Sequence, residues 1–311
     1  MKNFKNALTT GDRKVVKTLV GIIAVCGMLA AMTACTKDEP EPTTKDGRIN
    51  IYVNTDSIED HKTITFSCQN FTMSEMARTR ATMSEVGMTD LWVFDYVSGS
   101  LQQTIHQTAT DADFGTPAID ADYGEHTFYF VASRGDTPSI DDSVISWLKP
   151  SDTFWGSLSL NVQPSSATNN PVTLHRVATR LRITVADEVP DGLAKLCITP
   201  ARWYYGLNIL TGEATDERDT ERSVNVPASY IGTTGQLTMS VFGMSPDVEW
   251  QTSVTVAAKT ASDAVINSIT LSDVSLLRNR ITSYSGTLFA ASRSISVALT
   301  DEWTDEYTAT W

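Results

Sequence analysis

Short stretches in which apolar and polar residues alternate limit the fold of this 311-residue chain more than any other feature of its sequence. Ile64, Phe66 and Cys68 form one such set, and residues 49–53 hold another. Alternation with a period of two, bounded by Gly, Asp, Ser or Pro, is typical of β-strands with one buried face. The same reasoning predicts further strands at residues 91–96, 126–132, 172–185, 196–199, 236–242, 249–259, 265–271, 281–289 and 295–299.

One segment, residues 139–148, has apolar residues at helical spacing and ends before Pro150, so a helix is predicted there. No helices alternate with the strands elsewhere, which favours antiparallel sheets stacked as sandwiches. The polar, proline-bearing loop at residues 162–171 is the best boundary between domains. The sequence therefore predicts an all-β protein with two antiparallel β-sandwich domains in tandem, at residues 48–164 and 165–311.

The N-terminus has the pattern of a bacterial lipoprotein signal. A basic start precedes an apolar stretch at residues 18–32, which is shorter than the roughly 20 residues that a membrane-spanning helix needs. This order predicts a cleaved signal peptide at residues 1–34. The sequence Met32-Thr33-Ala34-Cys35 resembles a lipobox, in which the cysteine becomes the first residue of the mature chain and carries acyl chains.

Acylated Cys35 would anchor the chain to a membrane without spanning it. An ordinary signal peptide with an incidental cysteine and an uncleaved anchor helix are the alternatives. Residues 35–47 are acidic and contain prolines, a composition that forms a flexible tether. Within this tether, Lys37-Asp38-Glu39 resembles the acidic export signal of surface lipoproteins in Bacteroidetes-type bacteria, although a solvated tether needs no such signal. We therefore expect a lipid-anchored protein on the outer membrane, exposed at the cell surface.

The charge balance excludes several classes of partner. The chain has 24 Lys and Arg against 37 Asp and Glu, a formal net charge of −13. Such a surface repels the phosphates of nucleic acids and anionic lipid headgroups, so we expect no nucleic-acid binding and membrane contact through the lipid at Cys35. The four histidines form no metal-ligand pattern, and no nucleophile elbow, phosphate loop or dinucleotide motif occurs. We predict no catalytic residue, no metal, no cofactor and no enzymatic activity.

Two cysteines, Cys68 and Cys197, remain in the mature chain besides Cys35. In an oxidising compartment they could form a disulfide between domains. Burial as separate apolar residues on two strands is the favoured alternative. The spacing of the cysteines is not that of a metal site.

The cluster Trp203-Tyr204-Tyr205 is a candidate aromatic binding patch. Neighbouring aromatic rings on a loop could stack against sugar rings. They could equally seal the end of a β-sandwich, and this structural role is the favoured one.

Three segments of the second half resemble the fimbrillin-like lipoproteins of Bacteroidetes, the subunits, anchors and accessory proteins of donor-strand pili. They are "PVTLHRVATRLRITVADEVP", "ITPARWYYGLNILTGEA" and "LLRNRITSYSGTLFAASRSISVALTDEW". The resemblance extends over residues 91–303 and is clearest after Pro171. It implies two transthyretin-like β-sandwich domains, passage through the periplasm as a lipoprotein, and surface display.

The resemblance also implies assembly by strand exchange. In such pili an arginine-specific protease removes an N-terminal strand, and a strand of a neighbouring subunit fills the groove that is left. Arg78 and Arg80, in the polar stretch "MSEMARTRATMSE", are the candidate cleavage sites. Without cleavage the chain would stay on the membrane as an anchor or as an accessory subunit. The C-terminal strand at residues 295–299 could donate to another subunit, or close its own sheet, which is favoured.

The leading functional prediction is a lipid-anchored, fimbrillin-like surface protein that acts as a pilus anchor or accessory subunit in fimbria assembly and adhesion. Its partners would be the outer membrane, through Cys35, and other fimbrial subunits, through strand donation. The alternative is a stand-alone surface lipoprotein that binds a glycan or a host protein through Trp203, Tyr204 and Tyr205. A hydrolase is the third hypothesis, with no catalytic constellation to support it.

Overall fold

The computed structural model describes residues 61–71, 80–81, 83–84, 87–290 and 295–300. The predicted signal peptide, the tether with Cys35, the strand at residues 49–53 and Arg78 lie outside these residues. Within them the chain forms twenty strands and one 3-10 turn, at Ala228–Tyr230, which confirms the prediction of an all-β protein. The strands are β1 (His61–Phe71), β2 (Arg80–Ala81), β3 (Asp90–Val97), β4 (Ser100–Thr108), β5 (Ala118–Asp122), β6 (Gly124–Ser133), β7 (Ser139–Asp141), β8 (Val144–Ser146), β9 (Thr153–Val162), β10 (Asn169–Arg176), β11 (Ala178–Val185), β12 (Lys195–Pro200), β13 (Trp203–Asn208), β14 (Ala214–Arg218), β15 (Arg222–Asn225), β16 (Thr238–Met244), β17 (Glu249–Lys259), β18 (Val265–Leu277), β19 (Ile281–Gly286) and β20 (Ile295–Thr300).

The first sheet contains eight strands, in the order β2-β1-β10-β9-β6-β3-β4, with β5 paired to β1. Its strands pair in antiparallel fashion except β1 and β10, which are parallel. β9 and β10 share two residue pairs, His175↔Trp155 and Arg176↔Phe154. At this short contact the sheet divides into two layers. Side chains of β1, β5 and β10 meet those of β3, β6 and β9 in one apolar core.

The second and third sheets enclose a second core. The second sheet has the order β20-β19-β11-β16-β13-β8-β7, with β14 paired to β13, and the third has the order β15-β12-β17-β18. Leu181 and Ile183 of β11 belong to the same hydrophobic cluster as Leu196 of β12 and Val256 of β17. Both halves of the described chain are therefore layered β structures with apolar interiors.

β3 joins the two cores because it is buried on both faces. Leu91 and Val93 belong to the core of the first sheet. Trp92 and Phe94, which point the other way along the strand, belong to the second core. The dense apolar run at residues 91–96, expected from the sequence to be a central strand, lies between β4 and β6.

The predicted helix at residues 139–148 is wrong. The segment forms the hairpin of β7 and β8, with Asp142 in the left-handed conformation at the turn (φ 51°). Ile145 and Trp147 are buried at a spacing of two, because β8 pairs with β13 and needs one inward face. Ile140 and Leu148, which completed the helical spacing, are exposed.

The first and second sheets each contain strands from both sides of residue 165. β10 follows this position and pairs with β1 and β9 of the first sheet. β7 and β8 precede it and belong to the second sheet. The division into domains at residues 164 and 165 stays a prediction. Within the described ranges, no helix is long and apolar enough to cross a membrane.

Candidate functional site

β1 is the strand on which a strand-exchange mechanism would depend. It lies in the first sheet with β10 on one side and β5 and β2 on the other. Seven residue pairs, from Thr65↔Asn169 to Phe71↔His175, join it to β10. Further backbone hydrogen bonds run from Phe66 N to Pro117 O (2.9 Å) and from Cys68 N to Gly115 O (2.9 Å).

Three side chains of β1 fill a groove in the first core. Ile64, Phe66 and Cys68 are 0%, 0% and 5% exposed. The ring of Phe66 lies 4.8 Å from that of Phe128 and 5.1 Å from that of Phe130, measured between centroids. Full burial of an isoleucine or phenylalanine side chain contributes about 1.5–3 kcal/mol to the free energy of unfolding. We call this feature the β1 groove; its walls come from Ile119, Phe128, Phe130, Val172 and Leu174, which are in the same cluster.

One of the two candidate cleavage residues lies beside β1. The backbone of Arg80 is in the two-residue strand β2, where it pairs with Phe71, and Ala81 pairs with Asn70. Arg78 lies outside the described part of the chain. A protease requires an unpaired, extended substrate, so cleavage after Arg80 would first require β2 to separate from β1. Cleavage at either residue stays a prediction.

β20 closes its own sheet, which was the favoured alternative. It pairs with β19 over six residue pairs, from Ile281↔Thr300 to Gly286↔Ile295. Among the strands that the structure describes, β20 is the last at its side of the second sheet. Ile295 and Val297 on it are 48% and 56% exposed. Edge strands with exposed apolar side chains are prone to pair with another chain.

A second strand also carries exposed apolar residues. Among the described strands, β18 is the last of the third sheet, and its residues Val265 and Ile266 are exposed. A small cleft beside β20 has Val185, Leu271 and Ile295 among its lining residues. We call the exposed residues of β18 and β20 the open edge.

Asp187 fixes the segment that leads to β20, and nothing in the sequence pattern indicated this role. Its Oδ1 accepts a hydrogen bond from the backbone N–H of Leu288 (3.0 Å). Its Oδ2 accepts from Phe289 (2.6 Å) and Ala290 (2.8 Å). Burial by itself would raise the pKa of Asp187, but the backbone donors outweigh it and hold the pKa below its ordinary value.

The aromatic cluster lies inside the second core. Trp203, Tyr204 and Tyr205 are on β13, not on a loop, and they are 1%, 8% and 1% exposed. Trp203 Nε1 donates to Phe242 O (2.7 Å), and both Trp203 and Tyr204 pack against the ring of Trp250. β13 is an inner strand between β16 and β8. In this arrangement the rings cannot stack on a ligand, which supports their structural role.

Cys68 and Cys197 are free, buried thiols on β1 and β12. Burial raises the pKa of Cys68 to about 12. Burial, followed by the nearby carboxylate of Glu221, raises the pKa of Cys197 to about 11. Buried thiols with raised pKa values are unreactive, which agrees with the prediction that Cys68 and Cys197 are separate apolar residues on two strands.

Buried ionisable groups elsewhere have structural partners. His126 Nδ1 lies 2.7 Å from Asp95 Oδ1, and its Nε2 lies 2.9 Å from the carbonyl oxygen of Asp122. Both ring nitrogens of His126 are therefore engaged in contacts within the fold. No group of three or more potential metal ligands occurs in the part of the chain that the structure describes.

Comparison with known proteins links the chain to one family and one fold. Residues 144–311 match the model of a family of unknown function, DUF6562. No curated protein matches the sequence. The structure is similar to that of a candidate adhesin from Bacteroides ovatus, with a TM-score of 0.51 and 13% identity over 78% of this chain and 95% of the other.

Two further solved structures have lower scores. A candidate polysaccharide-binding protein from Bacteroides thetaiotaomicron aligns with a TM-score of 0.49 and 11% identity, over 77% of this chain and 98% of the other. The fimbrial anchor protein Mfa2 from Porphyromonas gingivalis aligns with a TM-score of 0.47 and 9% identity, over 78% and 97%. At such low identities the alignment with the Bacteroides ovatus protein, the one of the three above 0.5, shows a shared fold.

Proposed function

The chain belongs to the DUF6562 family, whose function is unknown, and we propose that it is a lipid-anchored, fimbrillin-like protein of the cell surface. It acts as an anchor or accessory subunit in fimbria assembly and adhesion, and it is not an enzyme. Its two halves are transthyretin-like sandwiches, and its lipid is attached to Cys35 in the outer membrane. The lipobox, the resemblance of the second half to fimbrillin-like lipoproteins, and the fold shared with a candidate adhesin support this proposal.

The observation that carries the proposal is the occupied β1 groove. Ile64, Phe66 and Cys68 already fill the position that a donor strand would take. A chain that keeps β1 therefore cannot accept another subunit's strand there, because two strands cannot occupy one ladder. Such a chain ends or anchors a fibre, and its contact with another subunit runs through a free strand edge. The open edge offers one.

The position of Cys35 couples anchoring to the state of the groove. Cys35 precedes β1, and both candidate cleavage residues follow β1. One cut after Arg78 or Arg80 would therefore separate the lipid from the remainder of the chain. If β1 then dissociated, the same cut would open the groove. Anchor and polymerising subunit are thus alternative states that the N-terminus of the mature protein distinguishes.

The first experiment is to determine that N-terminus by mass spectrometry, on protein purified from the outer membrane of the cells that produce it. We expect an acylated Cys35 and peptides that cover residues 36–80. A chain that begins at Thr79 or Ala81 would overturn the anchor assignment and indicate a matured pilin. An unmodified N-terminus after an ordinary signal-peptide cut would overturn the lipid anchor itself.

The three residues proposed to bind a glycan are not at the protein surface. Trp203, Tyr204 and Tyr205 are core residues, so replacing Trp203 by Ala would mainly reduce the free energy of unfolding. Loss of glycan binding in that variant would not identify a binding site. No observation on these residues favours the alternative over the anchor.

A further inference from the structure

A cleft of about 420 Å³ opens beside the edge strand β15, away from the β1 groove and the open edge. One wall is formed by β15, and the other by residues 239–242 of β16. Its mouth is formed by the loop between β6 and β7 and the loop between β8 and β9. A volume of this size is within the range of pockets that hold small organic molecules.

The inner wall of the cleft is apolar. Val224 of β15 faces the cleft together with Met239 and Val241 of β16. Met239 and Val241 are buried members of the second core, so the cleft reaches the hydrophobic interior. Ser223 and Ser240 also line the cleft, beside this apolar surface. The apolar surface suits the hydrocarbon part of a ligand.

The mouth of the cleft is positively charged, although the whole chain has a formal net charge of −13. Arg134, Lys149 and Arg222 line it, against one acidic residue, Asp136. The guanidinium group of Arg134 extends over Gly87, so this residue contributes to the local potential more than to direct contact. A local excess of positive charge in an acidic protein concentrates anions at that place.

Two of these cations are available to a ligand. Arg222 Nη1 donates to the carbonyl oxygen of Leu148 (2.8 Å), and its guanidinium lies 5.5 Å from the ring centroid of Tyr205. These contacts fix the side chain, and its other N–H groups make no hydrogen bond to any described residue. Lys149 is exposed and has no ion pair within the described ranges.

We propose that this cleft binds an amphipathic organic anion. A carboxylate would interact with Lys149 and Arg222 at the mouth, and an aliphatic chain would lie along Val224, Met239 and Val241. Arg222 is already held in place, so little side-chain entropy is lost when the anion binds. The charged group sets the orientation, and the apolar wall favours a ligand with a hydrocarbon tail over a small hydrophilic anion.

The test is isothermal titration calorimetry with octanoate and with 1-octanol, a neutral compound of the same chain length. The protein is the full mature chain with the substitution Cys35→Ser, so that no attached acyl chain competes for the cleft. We expect octanoate to bind about tenfold more tightly than 1-octanol, since a charge-assisted hydrogen bond has this effect. Higher salt should weaken the binding of octanoate and leave that of 1-octanol unchanged.

Variants locate the site. Lys149→Gln and Arg222→Gln should each weaken octanoate binding about tenfold and leave 1-octanol binding unchanged. Lys195→Gln is the matched control, because Lys195 lies on β12 outside the cleft and pairs with Asp263. Lys149 is exposed, so its variant is expected to fold even if the Arg222 variant does not.

Three outcomes would overturn the proposal. They are equal affinity for octanoate and 1-octanol, an unchanged octanoate affinity in Lys149→Gln, and no binding of octanoate at all. The proposal is independent of the assembly role. An acylated N-terminus with no octanoate binding would leave the anchor assignment intact and remove this site.

Discussion

Arg176 and Asp152 form an almost completely buried bidentate ion pair, with Nε–Oδ1 at 2.7 Å and Nη2–Oδ2 at 3.1 Å. The guanidinium of Arg176 also lies 4.7 Å from the ring centroid of Phe154, and its Nη1 donates to Asn279 Oδ1 (2.9 Å). Arg176 is the last residue of β10 in the first sheet, whereas Asn279 lies between β18 and β19. One guanidinium group therefore connects the two halves of the described chain.

Asp152→Ala should lower the free energy of unfolding by about 3–5 kcal/mol, because it leaves a buried guanidinium without its carboxylate. Urea denaturation followed by tryptophan fluorescence measures this loss. The matched control is Asp263→Asn, which removes the charge of an exposed partner of Lys195, keeps a residue that tolerates the left-handed backbone there (φ 64°), and should cost far less. Equal losses of unfolding free energy in the two variants would mean that the buried ion pair stabilises the fold no more than the exposed one.

Asp187→Asn should destabilise the segment before β20 in a pH-dependent way. The folded-state pKa of Asp187 is lowered, so its carboxylate stabilises the fold above the unfolded pKa of about 3.9. That contribution is lost as the pH falls through the lower, folded pKa. The difference in unfolding free energy between the wild-type protein and the variant should therefore be largest near neutral pH and shrink in acid.

Hydrogen exchange locates the effect of Asp187 within the chain. The backbone amides of residues 288–290 donate to Asp187, so they should exchange faster in the Asn variant than in wild type. Asp191→Asn is the control, since Asp191 is an exposed aspartate with no ion pair among the described residues. Unchanged exchange at these three amides would show that they are protected by other contacts.

The β1 groove should accept a peptide once β1 has been removed. We expect a chain with an engineered protease site at residues 72–79 to release β1 after cleavage in mild denaturant, and to rebind a synthetic peptide of residues 61–71. The Phe66→Ala peptide should bind about two to four orders of magnitude more weakly, because loss of a buried phenylalanine costs about 3–5 kcal/mol. A His61→Ala peptide is the control, since His61 is exposed and lies outside the apolar cluster. Equal affinities of the two peptides would contradict a groove defined by the side chains of β1.

Cys68 and Cys197 should resist modification in the native protein. Their raised pKa values, about 12 and about 11, leave few thiolates at pH 8, and burial excludes the reagent. Labelling with a maleimide, followed by intact mass measurement, should add no group under native conditions and one group per thiol in denaturant. A mature chain that takes up no label in denaturant without a reductant would contain a disulfide instead.

Local alternation was sufficient to predict much of the fold. Ile64, Phe66 and Cys68 are buried as their spacing indicates, and the run at residues 91–96 is a strand covered on both faces. Spacing failed at residues 139–148, because four apolar residues at helical intervals also fit a hairpin whose turn lies at Asp142. Pairing of β8 with β13 favours the hairpin over the helix. β13 lies about 60 residues further along the chain, so a short stretch of sequence around β8 does not include it.

The sites that join distant residues could not be predicted from the sequence. Asp187 is bound by amides 101 to 103 residues away, and backbone N–H groups leave no mark in the sequence. Arg222 of β15 donates to Leu148 O, 74 residues away, because the third sheet packs next to the loop between β8 and β9. The aromatic cluster was visible as a set of residues, but the neighbours of β13 determine that it is buried.

The parallel pairing of β1 with β10 has a mechanical consequence for a chain fixed at its N-terminus. Tension from the membrane would reach β1 at its N-terminal end, while tension from the second half would enter β10 at its C-terminal end, next to β11. Because the two strands run in the same direction, these forces would pull them past each other along their axes. The seven residue pairs would then share the load and resist in shear, whereas an antiparallel hairpin pulled at its open end would unzip one pair at a time. If the chain is the anchor proposed above, the strand that fills the groove would also carry the force on the fibre.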